Sequence, residues 1–235
     1  MRRNSTVFNI ARRWLGVLMV LTAATLVGVS APAFAEQDQN QLVTSAQATF
    51  SDFQRDPDMT WFRAHVGRAK AVLIAPEIVK AGWIFGGSGG RAVLYARDSQ
   101  AKWSGPAFYN IGAASVGFQA GLSVSQTITL VMTEQGLNSL LANSVKLGGD
   151  ASIAAGPVGA GANSDITTDF VAFSRSKGLY GGLNLEGSVI SPANDWNATY
   201  YGRNVLPPDI LVRGDARNPQ GEQLAADISR AAMLR

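Results

Sequence analysis

The chain has 235 residues, one histidine and no cysteine, with 46% hydrophobic and 16% charged residues and a formal net charge of +3. Without cysteine there is no disulfide framework, no thiol chemistry and no lipid-modified cysteine anchor, so stability rests on packing and backbone pairing. Four of the 20 basic residues and none of the 17 acidic ones lie in the first 35 positions, so residues 36–235 carry a net charge of −1. That balance argues against a globally basic nucleic-acid binder, and no nucleic-acid partner is expected.

The N-terminus places Arg2, Arg3, Arg12 and Arg13 before an apolar run from Trp14 to Val29 and the tripeptide Ala33-Phe34-Ala35. This order of charged, apolar and small residues predicts a secretory signal peptide over residues 1–35, cleaved after Ala35. The run is shorter than the roughly 20 residues that cross a bilayer core, and the polar stretch Glu36–Asn40 follows it in place of a stop-transfer cluster. The expected product is a periplasmic or secreted protein, by an export route that the Arg12-Arg13 pair leaves open. Residues 36–235 are enough for one domain with a proper core. It is expected to consist of N-terminal helices over 36–69, a β-rich core over 70–191 and a C-terminal helical segment over 192–235.

In chain order, Leu42, Ala46, Phe50 and Phe53 recur at helical spacing and predict an amphipathic helix over Asp38–Arg55. Asp56-Pro57-Asp58 ends it, with Asp58 expected to cap a short second helix through Met59, Phe62 and Val66. Beyond Lys70 the texture turns to Val-Leu-Ile runs, paired glycines and alternating aromatics, which is strand chemistry. Strands are predicted near Ala71–Ala75, Ile78–Phe85, Ala92–Ala96, Phe108–Gln119, Ser125–Thr133, Lys146–Ile153, Thr168–Ser174 and Gly182–Ile190. One helix interrupts them, capped by Thr133, with Leu137, Leu140 and Leu141 facing inward. Past Pro192 the pattern becomes helical or irregular, with Pro207-Pro208 starting one short element and Gln220–Arg235 forming a last amphipathic one. Glycine is frequent within the strands, which predicts a strongly curved, mostly antiparallel sheet, either a barrel or a sandwich. The fold class is α+β, β-rich, with helices at both chain ends.

Catalytic patterns are thin. Gly86-Gly87-Ser88-Gly89-Gly90 satisfies the G-x-S-x-G pattern of a nucleophile elbow. However, Arg91–Tyr95 has strand character where the elbow needs a helix, and the lone His65 precedes the serine instead of following it. The segment is expected to be a glycine-rich hairpin loop. It also lacks the Gly-Lys-Ser/Thr ending of a phosphate-binding loop. A lone histidine cannot assemble a zinc site without cysteine. The pairs Asp56/Asp58 and Asp165/Asp169 are expected at caps and turns, and Glu186, in a predicted glycine-rich strand, in a structural hydrogen-bonding role. No catalytic residue, metal site or cofactor is expected.

Five segments stand in order along the chain: Ala69–Pro76 (AKAVLIAP), Val79–Gly82 (VKAG), Ser115–Gly121 (SVGFQAG), Ala151–Gly159 (ASIAAGPVG) and Ser176–Ser188 (SKGLYGGLNLEGS). Through them the chain resembles the SYLF, or Ysc84-type, lipid-binding domain, from about Trp61 to Gly202. The resemblance implies a non-enzymatic domain that binds membrane lipids, in eukaryotic members anionic phosphoinositides, often beside actin-regulatory modules. The N-terminal amphipathic helix, basic in lipid-binding relatives, here holds only Arg55 near its end, so phosphoinositide choice and actin binding are not carried over.

A lipid module needs cations for phosphate and aromatics for the interfacial zone. The candidates are Lys80, Trp83, Arg91, Arg97, Lys102, Trp103, Arg175, Lys177 and Tyr180. Trp103, in the loop-like stretch Ser99–Pro106, is the candidate to dip into a membrane or to close the end of a barrel. The expected partners are membrane lipids, anionic phospholipids above all. A second possibility is an envelope protein, with the domain as a structural or interaction module.

Overall fold

The computed structural model describes residues 31–82, 85–98, 100–116, 121–159, 167–176, 179–180 and 185–233. The chain divides into two units, Met1–Ala35 and Glu36–Arg235. The apolar run Trp14–Val29 lies outside the described residues. Among those described, no helix is long and apolar enough to cross a membrane.

The helices are α1 (Ala31–Arg55), α2 (Thr60–His65), α3 (Glu134–Ala142), α4 (Asn194–Tyr201), α5 (Pro207–Leu211) and α6 (Pro219–Met233). The strands are β1 (Ala71–Gly82), β2 (Phe85–Arg97), β3 (Trp103–Val116), β4 (Gly121–Val131), β5 (Val145–Lys146), β6 (Ile153–Ala155), β7 (Phe170–Ser176), β8 (Leu179–Tyr180) and β9 (Val189–Pro192). They form one sheet in the order β5-β9-β3-β2-β1-β4-β7-β6, with β8 on β7. Pairing is antiparallel throughout except between β6 and β7. The result is the expected α+β architecture, a curled half-barrel with helices at both ends.

The run Ala71–Ala75 has no polar residue because both faces of the sheet are covered there. On one face Val72, Ile74, Val93, Tyr95, Phe108, Ile128, Leu130, Val171 and Phe173 pack under α1, α2 and α6. On the other, Leu73, Ala75, Leu94, Tyr109 and Phe170 pack against Leu137 and Leu140 of α3 and Ile210 and Leu211 of α5. A strand buried on both sides has no solvent face to mark with polar residues. Helix α1 instead shows one buried stripe, with Val43, Ala46, Phe50 and Phe53 at helical spacing.

Buried tyrosines tie helices to the sheet. The Tyr95 hydroxyl of β2 donates to the Gly221 carbonyl of α6 at 3.1 Å, Tyr109 of β3 to Leu140 of α3 at 2.9 Å, and Tyr201 of α4 to Pro106 of β3 at 2.7 Å. Burial raises all three phenols above their ordinary pKa, so each stays a donor. The Asn197 amide stands where a neighbouring strand would pair with β3, its Oδ1 accepting the Phe108 N–H at 2.8 Å.

Several expected elements are placed differently. The two strands predicted on either side of Pro76 are one strand, β1, bent by a bulge where the register shifts between Ala75 and Ile78. Proline removes one ladder donor, which a bulge tolerates. Gly86–Gly90 is no hairpin loop but lies inside β2, with Ser88 paired to Lys80 on one side and Ala113 on the other. A side chain at Gly90 would meet the Glu77 carbonyl oxygen at 2.3 Å, so the bulge itself demands glycine. The strand predicted over Lys146–Ile153 is interrupted by a turn at Gly148–Asp150, and its pieces join opposite ends of the sheet order. Of the strand predicted over Gly182–Ile190, the Glu186–Gly187 turn and the first two residues of β9 are described. Asp56, not Asp58, caps the turn after α1, its carboxylate accepting the Asp58 N–H at 2.9 Å. Thr133 caps α3 as expected, accepting the Gly136 N–H at 3.0 Å.

Helix α6 sits against the rest through two glycine contacts. A Cβ on Gly221 would lie 2.3 Å from Pro106 Cδ, and one on Gly67 would lie 2.5 Å from the Ala232 carbonyl oxygen. Gly221→Ala is therefore expected to cost roughly 1–3 kcal/mol in urea denaturation. Gly112→Ala, whose added methyl would meet only the Ser88 carbonyl oxygen at 4.0 Å, is expected to change stability by about 0.5 kcal/mol or less.

Candidate functional site

The candidate residues do not share one surface. Lys80 pairs with Ser88 of β2, and Arg97 lies nine residues further along the same strand. At about 3.3 Å per residue the two are roughly 30 Å apart. Trp83 and Lys177 lie outside the described residues, and of Tyr180 only the backbone is described, in β8. Arg175 is engaged rather than available: Nη2 donates to Asp52 Oδ2 at 3.1 Å and Nε to Gln126 Oε1 at 3.1 Å, with the guanidinium 5.6 Å from the Phe53 ring centroid. Arg91 stacks on Trp196, its guanidinium carbon 3.8 Å from the ring centroid.

What does converge is the end of the sheet at Arg97, Lys102 and Trp103. Trp103 is 5% exposed and belongs to the core, so it closes the end of the sheet and is not a loop residue dipping outward. The tight connection before it explains why. Asp98 Oδ1 accepts the Gln100 and Lys102 N–H groups at 2.9 and 2.8 Å, and Ala101 takes a left-handed φ of 60°. That turn brings β3 back beside β2 with Trp103 opposite Arg97. The Arg97 guanidinium carbon lies 5.1 Å from the indole centroid and its Nη2 donates to the Gly67 carbonyl at 2.9 Å. Its Nε is buried and has no hydrogen-bond partner.

Helix α6 crosses this end, and two clefts follow one another along it. One, of about 330 Å³, is lined by Lys102, Trp103, Arg217, Glu222 and Ala226. The other, of about 780 Å³, is lined by Gly67, Arg68, Arg97, Trp103 and Met233. Trp103 and Ser229 line both. Among the described residues, none of Arg68, Arg97, Lys102 and Arg217 is in an ion pair, whereas Arg55, Lys70, Arg175, Arg213 and Arg230 each have a carboxylate partner. Among the described residues, Glu222 is the carboxylate that lines either cleft. The site is cationic, with an aromatic wall and a floor of small side chains.

Arg68 and Arg217 were missed by sequence reasoning. They stand 149 positions apart, and neither belongs to a charge cluster or motif. The turn geometry at Asp98–Lys102 was the only local signal, and it marks a tight connection, not a site.

The elbow reading of Ser88 has no support in the geometry. Ser88 lies mid-strand on the face shared with Ala92 and Leu94. His65 stacks on Trp61 with ring centroids 3.7 Å apart, and Trp61 packs in the core of the opposite face. Glu186 is exposed in a turn and not buried in a strand. Among the described residues, no three His, Cys, Asp or Glu side chains are grouped so as to hold a metal ion.

Residues 112–231, half of the chain, match the family described as "Ysc84: Las17-binding protein actin regulator". The chain belongs to the Ysc84 family. Its relatives include the Saccharomyces cerevisiae "LAS seventeen-binding protein 3", 32% identical over 151 residues that make up 61% of this chain and 33% of the relative. "Protein YSC84" of the same yeast is 32% identical over 61% of this chain and 32% of its own length. The human "SH3 domain-containing YSC84-like protein 1" is 29% identical over 68% of this chain and 48% of its own length. The chain thus spans a third to a half of the curated relatives it matches. The family segment runs from within β3 into α6, so it holds Arg217, Glu222 and Ser229 but not Arg68, Arg97, Lys102 or Trp103.

Asp169, half of the Asp165/Asp169 pair, is a clamp between β7 and α3; Asp165 lies outside the described residues. The Asp169 carboxylate accepts hydrogen bonds from the Thr133 hydroxyl and, at 3.0 and 2.7 Å, from the Ser152 N–H and hydroxyl. The Thr133 and Ser152 hydroxyls hold its pKa below the usual carboxylate value. A depressed folded-state pKa adds stability that is full above the unfolded value of about 3.9 and is lost as pH falls through the folded one. Urea midpoints measured down an acid series are expected to fall more steeply below about pH 4 for the native chain than for Asp169→Asn.

Proposed function

We propose that this protein is an exported, non-enzymatic Ysc84-family module of the cell envelope that contacts the anionic head groups of membrane lipids with its Trp103 end. The observation that carries the reading is the gathering around one indole of Arg68, Arg97, Lys102 and Arg217, four cations in no ion pair among the described residues. Guanidinium and ammonium groups recognise phosphate, and near a negatively charged leaflet each contributes about 1 kcal/mol. Export is supported by the order of charges, apolar run and small residues in the first 35 positions. A non-catalytic role is supported by the family description, which names a binding protein and regulator.

A second reading, a protein-binding module of the envelope, is favoured by the printed names of the yeast relatives, which record binding to another protein.

Sedimentation of residues 36–235 with vesicles separates the two. Phosphatidylglycerol vesicles are expected to carry the protein down at low salt and phosphatidylcholine vesicles to leave it in the supernatant. Binding is expected to weaken about fivefold in Lys102→Gln and again in Lys102→Gln/Arg217→Gln. Equal binding by the double variant, or none by the native chain, would sink the lipid reading. Intact mass of the protein recovered from the envelope fraction of a bacterial host is expected to correspond to a chain beginning at Glu36.

A further inference from the structure

The cationic end is not one basin but two, and the division has a chemical consequence. The smaller cleft holds Lys102 and Arg217, the larger Arg68 and Arg97, and Trp103 and Ser229 line both. Trp103 cannot swing aside cheaply: it is 5% exposed, begins β3 opposite Arg97 and carries the Arg97 guanidinium near its face. Arg97 is fixed in turn by its bond to the Gly67 carbonyl.

We propose that the two clefts together form a site for a bis-anionic ligand, one whose two phosphate groups are joined by an apolar linker that passes over Trp103. This rests on the reading of the Trp103 end as an anion-binding surface and adds to it the class of ligand. Each phosphate meets two cationic side chains, and the linker meets the indole and the small side chains Ala225, Ala226 and Ser229 of α6. Once the first phosphate is seated, the second binds as an intramolecular event at a high effective concentration. A monophosphate gains nothing from the second cleft. Glu222 opposes the anion in the smaller cleft, so its removal strengthens that half.

The test titrates residues 36–235 with hexyl phosphate and hexanediol bisphosphate by calorimetry. A parallel arm uses vesicles holding phosphatidylglycerol or the bisphosphate lipid cardiolipin at equal total phosphate. The bisphosphate is expected to bind about tenfold more tightly than the monophosphate. Lys102→Gln/Arg217→Gln, both at exposed side chains, is expected to erase that difference while leaving monophosphate binding in the other cleft. Arg68→Gln is expected to erase it from the other side, and Glu222→Gln to widen it. Circular dichroism confirms that each variant is folded. Equal affinity for the two probes, binding of neither, or a preference that survives loss of either cation pair would overturn the two-cleft site. If these occur while phosphatidylglycerol vesicles still bind, only the bis-anionic inference falls; loss of vesicle binding as well removes the lipid reading beneath it. Preference for the soluble probe without preference for cardiolipin assigns the site to a free bisphosphate, and preference in both arms to the lipid.

Discussion

Everything in this molecule depends on the lower half of one sheet being buried on both faces. Strands β1 and β2 present apolar side chains alternately to a layer of α1, α2 and α6 and to a layer of α3 and α5. Burial of that kind is the dominant favourable term in folding, and here no disulfide shares the load. It also accounts for the position of the clefts, which lie where the buried half of the sheet ends and α6 crosses its rim. The glycine-rich upper half differs in kind. Among the described residues, added methyls at Gly89 and Gly112 would come within 4 Å only of the backbone of the adjacent strand.

The attachment of α6 links that core to the proposed function. Gly67 allows the Ala232 backbone and Gly221 the Pro106 ring to approach closely, and the Tyr95 hydroxyl holds the Gly221 carbonyl. The helix is thereby placed against Trp103 so that its small residues line one cleft and its C-terminal end the other. Buried polar contacts of this sort rigidify an element when they are satisfied, which a preformed binding surface needs. What sets the cations around the clefts apart is that four of them line cavities sharing one indole, with no ion pair on them among the described residues. Arg175, with Asp52 and Gln126 on it, serves to hold α1 to β4 and β7.

Family membership and site geometry bear on different parts of the chain. The matched segment begins inside β3, and since 151 residues make up 33% of the yeast relative and 167 make up 48% of the human one, these relatives are about one and a half to two times as long as this chain. The matched segment holds β4 to β9 and most of α6; the Arg68–Arg97–Lys102 side of the site lies before it. The relatives' printed partners are thus properties of larger proteins, whereas the cation pairs around Trp103 are properties of this one.

The amino-acid order alone determined the element types, the helices at both ends, the curvature of the sheet and the family, because these follow from local periodicity, turn chemistry and short motifs. Thr133 as a cap and the stripe Ala46, Phe50 and Phe53 are legible in that way, whereas its first buried residue is Val43 and not the expected Leu42, which is only partly buried. It misplaced Gly86–Gly90, since glycine punctuates turns in the absence of neighbours, and only strands on both sides show it to be ladder. It also joined Lys146 to Ile153, because nothing local says that two short strands belong to opposite ends of the sheet order. Which cations act together was decided by tertiary structure alone. Arg68, Arg97, Lys102 and Arg217 come from three separated stretches of chain and are neighbours only because the sheet closes on Trp103 and α6 lies across it. Charge acts through space, and spacing along the chain carries no record of it.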